Sequence, residues 1–215
     1  MKNAQGDSAF GRTNWRRFAV AVGVPTVVAG ALVVGLANGA FAATLTLSGQ
    51  AFKIKADKLD AKGFVQYSQG FAQSQKDGKD RPPLGLAVAG IRDATLYNLC
   101  QSVHPAGLPF SLVIRAGQDA TNPAHATNML IGMSHLQGEA TFQGIEIGKD
   151  AATVTKGSDN NTAKGETGGF AQEADSVIIT DLQQTAQYTA AGSFTLTGLD
   201  MTVNTDFAGH PAECF

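Results

Sequence analysis

The sequence predicts an all-β protein: a single domain of curved antiparallel strands, forming a barrel, a sandwich or an open β-groove, behind an N-terminal hydrophobic signal or anchor helix. Three observations predict it. Apolar residues recur at strict period two in Leu108, Phe110, Leu112 and Ile114, in Met129, Ile131 and Met133, and in Val177 and Ile179, the spacing that places side chains on one face of a strand. No stretch beyond residue 43 carries a comparable helical period. The 25 glycines and 7 prolines punctuate the chain too often for long helices, and the turn spacing suits about eight to ten short strands. A length of 215 residues with 43% hydrophobic and 16% charged residues is that of one globular domain.

The first element is an export signal over residues 1–42. Lys2, Arg12, Arg16 and Arg17 precede an uncharged apolar run from Phe18 to Leu36, and the run leads to Ala40-Phe41-Ala42. A basic segment, an apolar segment and small residues in an A-x-A arrangement are the grammar of a signal peptide. Cleavage after Ala42 leaves an exported domain over 43–215. The competing reading is an uncleaved anchor that ties the domain to a membrane, against which stand Pro25 and the Ala, Gly and Val content of the run. Loss of Lys2, Arg12, Arg16, Arg17 and Asp7 takes the net charge from -2 to -5. A mildly acidic domain supplies no basic surface for phosphates, so no nucleic-acid partner is expected. Contact with lipid would rest on apolar burial.

Cys100 and Cys214 both survive cleavage, and an oxidising exterior makes a disulfide between them the expected state. Such a bridge would pin the end of the chain to the core. No C-x-x-C or H-x-x-x-H spacing exists, and His104, His125, His135 and His210 are scattered, so neither a metal site nor a cofactor is expected.

Within the strands, apolar alternation runs up to a glycine, slips by one and resumes on the other parity. The pattern occurs at Phe142, Gly144, Ile145 and Ile147, at Leu196, Gly198, Leu199 and Met201, and at Val88, Gly90 and Ile91. A one-residue slip turns later side chains to the wrong face unless the backbone bulges there. Bulged, curved strands are one reading; a tight turn between two short strands at each glycine is the other. Two polar connections interrupt the strands, one from Gly70 to Pro83 and one from Lys149 to Asp175. The second is expected to be solvated and mobile, anchored by no more than Val154 and Phe170.

Catalytic signals are sparse. The nucleophile-elbow pattern G-x-S-x-G is absent, and Ser134 and His135, as neighbours on a strand, point to opposite faces. Asp57, Asp60, Glu139, Glu146, Asp175, Asp181 and Asp200 are spread along the chain as residues of solvated faces. His104 and His210, each before a proline, are turn residues. No catalytic residue is assigned.

The ordered segments GRTNWRRFAV, LSGQAFKIKADKLDAKGFVQY, YNLCQSV, ATNMLIGM, GEATFQGIEIG, GGFAQEADSVIITDLQQTA, SFTLTGLDMTV and ECF resemble a family of uncharacterised exported proteins of actinobacteria, especially of the streptomycete type. The resemblance implies a protein of the cell envelope or exterior. Some members carry the label cholesterol esterase, with no catalytic motif to transfer.

The leading functional expectation is a non-catalytic exported envelope protein whose curved sheet presents an apolar groove to a lipid or other hydrophobic ligand. Its candidate ligand-binding residues are Phe142, Phe194, Leu196 and Met201, for which core packing is the competing explanation. The alternatives are a secreted lipid or sterol esterase, with Ser134 the first residue to test, and a structural envelope protein that self-assembles through exposed sheet edges into a homo-oligomer.

Overall fold

The computed structural model describes residues 50–71, 83–205 and 212–215. The expected export signal, the centre of the Gly70–Pro83 connection and His210 lie outside the described residues. Those that are described form nine antiparallel strands in one sheet. They are β1 (Phe52–Phe71), β2 (Leu84–Tyr97), β3 (Leu99–Val103), β4 (Phe110–Ala116), β5 (Ala124–Gln143), β6 (Glu146–Asp150), β7 (Phe170–Ala190), β8 (Ser193–Thr195) and β9 (Asp200–Thr205). The all-β expectation holds. The strands are not uniformly short, however, since β1 and β5 have 20 residues each and β7 has 21.

Four strands close a ring, in which β1 pairs β2, β2 pairs β5, β5 pairs β7 and β7 pairs β1. The ring is strongly staggered. Val65 is level with Gly90, Gly90 with Leu130 and Leu130 with Ala190, which lies past Ala186, the partner of Phe52. Strands so displaced run steeply around the axis. A four-stranded ring is narrow, and alanines fill much of its interior: Ala56, Ala61, Ala94, Ala124, Ala126 and Ala174 are fully buried there, with Phe64, Ile91, Met133 and Leu182 filling the wider parts. From this ring the sheet runs on through β3 and β4 to β9 on one side and β6 on the other, and β8 pairs β5.

The long strands survive because their kinks are shared. Asn128, Arg92, Gly63, Asp175 and Gly144 lie level on neighbouring strands, and Asn128, Gly63 and Gly144 have φ of 48, 68 and 61°. In a second row Asn98 (φ 50°), Asp57 and Asp181 (φ 51°) are level, with Asn98 Nδ2 donating to Asp57 Oδ2 at 3.0 Å. A left-handed residue resets the side-chain parity of a strand. Successive interior residues accordingly stand three apart across the first row, as Ala61 to Phe64, Ile91 to Ala94, Ala126 to Met129 and Ala174 to Val177. Across this row all four strands slip together and each pairing stays in step, whereas β5 shifts register against β7 elsewhere, between Gly132 and His135 and between Gln137 and Glu139.

The slip of parity read in the sequence is therefore real, and its three expected positions divide: Gly144 stands at a kink, Gly198 takes the tight-turn reading, and Gly90 takes neither. Gly144 belongs to a kink row, and the chain beyond it continues along β7 as β6, with a register shift between Ile147 and Lys149. Gly198 (φ 65°) lies in the turn between β8 and β9. Gly90 sits in regular β2, where a Cβ would meet Ala163 and Val65. Its role is close approach.

What approaches Gly90 is the connection between β6 and β7. It packs on the ring's outer face: Ala151 and Val154 are fully buried and Ala163 is nearly so, against Val65, Tyr67 and Val88. The expected anchors divide, since Val154 is buried while Phe170 is 58% exposed. Polar contacts do the rest. Lys156 Nζ reaches Asp175 Oδ1 at 2.9 Å and Glu146 Oε1 at 3.2 Å, and Asn128 and Asp159 exchange two hydrogen bonds of 2.9 and 3.1 Å.

Candidate functional site

The apolar alternation of β4 faces an open surface. Directly opposed residues of antiparallel strands share a face, so Gln184, Ile54, Gln101, Ile114 and Met201 form one row across β7, β1, β3, β4 and β9. Exposure climbs along it. Gln184 and Ile54 are buried, Gln101 and Ile114 half-buried, and Met201 is 58% exposed. Val103, Leu112 and Val203 make a parallel row that ends equally exposed. The ring's interior face thus continues outward as an apolar trough on β3, β4 and β9.

The opposite face of the same strands is sealed by the end of the chain. Cys100 and Cys214 form a disulfide with Cα atoms 5.8 Å apart. The buried Ser102 accepts from the Cys214 amide at 3.1 Å, and the buried Ser111 hydroxyl donates to the Ala212 carbonyl. Lys53 Nζ lies 3.0 Å from Glu213 Oε2 and donates to the Phe215 carbonyl at 2.7 Å. With one face held by the tail, β4 turns its small Ser111 and Val113 to the tail and its larger Phe110, Leu112 and Ile114 to the trough.

At the buried end of the trough is a cavity of about 20 Å³ lined by Ile54, Gln101, Met129, Gln184, Thr189 and Phe194, among others. Gln184 Nε2 and Thr189 Oγ1 are buried without a hydrogen-bond partner. Among the described residues, no charged side chain lines the cavity. Phe194, 38% exposed, stands between it and solvent.

Two of the four candidate ligand residues, Phe194 and Met201, belong to this surface. Leu196 packs against the main core, and Phe142 packs against Phe64 with ring centroids 5.6 Å apart and the planes tilted by 54°, far along β5. Gln101, Gln184 and Thr189 were not singled out from the sequence. A signal existed for one of them: Gln184 holds an interior position between Leu182 and Ala186, polar where the period requires an apolar residue.

A second, wider cleft of about 740 Å³ opens where β1, β2 and the β6–β7 connection meet, lined by Gln66, Gln69, Gln172, Glu166, Thr167 and Phe170, among others. Gln172 Nε2 donates to Gln66 Oε1 at 2.6 Å across it. Its lining also includes Tyr67, Leu86 and Ala87, and it is open to water.

Ser134 Oγ donates to the Thr185 carbonyl at 3.4 Å. His125 Nε2 lies 3.2 Å from Asp93 Oδ2 on the exposed surface, and His104 sits in the turn after β3, its Nε2 2.9 Å from the Leu108 carbonyl oxygen. Among the described residues, no three His, Cys, Asp or Glu side chains are grouped as metal ligands. Glu173, which no sequence pattern marked, is a buried carboxylate: its side chain is 1% exposed, and it accepts from Lys149 Nζ at 2.6 Å and from the amides of Thr155 at 2.7 Å and Lys156 at 3.2 Å. It fixes the β6–β7 connection to the sheet.

Fold and surface together define an antiparallel β-protein in which a closed ring opens into an apolar sheet face. The chain belongs to a family of unknown function, DUF6230, whose model matches residues 48–215. No curated protein and no solved structure matches it.

Proposed function

We propose that this protein is an exported, non-catalytic component of the cell envelope that holds a hydrophobic ligand on the trough of β3, β4 and β9. The observation that carries the reading is the row from Ile54 through Gln101 and Ile114 to Met201, with Leu112 and Val203 beside it, in which a core face leaves the core and, Gln101 apart, stays apolar. Water is a poor partner for Leu112, Ile114, Met201 and Val203, and each Å² of apolar surface covered stabilises a complex by roughly 25 cal/mol. The disulfide supports an oxidising, exported setting.

The test is titration of the purified chain with Nile red, then with lipid extracts as competitors. Saturable binding that Met201→Asp and Val203→Asp weaken at least tenfold is the expected result. Absence of saturable binding, or binding indifferent to both substitutions, overturns the proposal.

One observation favours a second reading, self-assembly. The outer edge of β9 pairs with no strand among the described residues, and Leu199, Met201 and Val203 are more than half exposed. An edge of this kind pairs readily with another copy. Light scattering of the same preparation distinguishes the two, since a monomer at all concentrations removes the second reading.

A further inference from the structure

An uncompensated polar group stands at the bottom of an otherwise apolar surface. Gln184 is 2% exposed, its Nε2 has no hydrogen-bond partner, and it lines the small cavity that the half-exposed ring of Phe194 separates from solvent. Thr189 Oγ1, in the same cavity, is also unpartnered. A buried, unsatisfied donor destabilises a fold, and an apolar side chain of the same shape would remove the penalty. The amide faces a space about the size of one oxygen-bearing group.

We infer that this cavity is the polar subsite of the trough and receives an uncharged oxygen, hydroxyl or carbonyl, at the end of an otherwise apolar ligand. The inference rests on the reading of the trough as a hydrophobic-ligand surface and adds to it the ligand's polar chemistry. A ligand oxygen accepts from Gln184 Nε2 and exchanges a hydrogen bond with Thr189 Oγ1, satisfying both orphaned groups at once. The absence of any charged residue from the lining excludes a carboxylate from the same place, because an anion there would be desolvated with no cation to pair it. The apolar remainder of the ligand leaves past Phe194 along Gln101 and Ile114.

The experiment is competition of octanol, octane and octanoate at neutral pH against Nile red on the full chain. It is repeated with Gln184→Met, which keeps the side-chain length, and with Thr189→Val. The native protein should prefer octanol over octane by about tenfold, the worth of one well-made neutral hydrogen bond with its buried donor satisfied. Octanoate should bind more weakly than octanol. Gln184→Met should abolish the preference for octanol and raise the melting temperature, while Thr189→Val should reduce the preference in part. Equal affinity of the native protein for octanol and octane overturns the polar subsite and leaves the trough standing, as does a preference that survives Gln184→Met. If that variant fails to fold, a preference undiminished in Thr189→Val decides against the subsite. Failure of Nile red to bind overturns the trough and the subsite together.

Discussion

Glu173 Oε1 lies 2.6 Å from Lys149 Nζ on the outer face of the ring, and the other carboxylate oxygen takes the backbone amides of Thr155 and Lys156. Burial by itself would raise the Glu173 pKa. The Lys149 hydrogen bond and the two amides outweigh it and hold the carboxyl below its ordinary value. A carboxyl depressed in the folded state contributes stability that is fully present above its unfolded pKa, about 4.3, and is lost as pH falls through the lower, folded value. Glu173→Gln should therefore destabilise the protein by about 2 to 3 kcal/mol at neutral pH. The gap between the two melting curves should close on acidification below about pH 4. A gap that persists there contradicts the assignment.

Reduction of the disulfide should free the end of the chain. The bridge joins positions 114 residues apart, and closing a loop of that size is worth about 4 to 5 kcal/mol in the chain-entropy model. The doubly substituted protein, Cys100→Ser with Cys214→Ser, should lose a comparable amount in urea denaturation. Hydrogen exchange should quicken first at the Cys214 amide, which Ser102 now holds.

The β6–β7 connection depends on a missing side chain. A Cβ at Gly90 would collide with the Ala163 Cβ and come within 2.9 Å of Val65 Cγ2. Gly90→Ala should lift the connection and cost about 1 to 3 kcal/mol, as overpacking does. Limited proteolysis should then cut between residues 151 and 169, and the native protein should resist cleavage there.

Asp181 holds a left-handed conformation at φ 51° with an exposed side chain. Glycine tolerates that conformation without a Cβ clash, whereas a β-branched residue does not. Asp181→Gly should be neutral or stabilising by up to about 1 kcal/mol, and Asp181→Val should destabilise by about 1 to 2 kcal/mol. The opposite order in thermal melts would contradict the kink row.

Composition and local pattern are enough to show that the protein is all-β, that its two cysteines pair, and that side-chain parity slips within strands. Each is a local or compositional property: period two in Met129, Ile131 and Met133, two cysteines with no competitor, and glycine at a parity change near Gly144. Tertiary structure decided where the slips fall, because a kink survives only if neighbouring strands kink level with it. Asn128 and Asp181 carry left-handed kinks that read as ordinary polar residues in one dimension, and Gly90, read as a bulge, proved to be a point of close approach. Tertiary structure also decided which apolar residues are core and which are surface. Ile114 and Ile131 are the same residue type in the same apolar alternation, one on β4 and the other on β5, and period alone does not separate them. The difference is what lies opposite, a closed ring over β5 and, among the described residues, no facing layer over β4 and β9. Burial depends on the far side of the space a side chain enters, and that is supplied by residues distant in the chain.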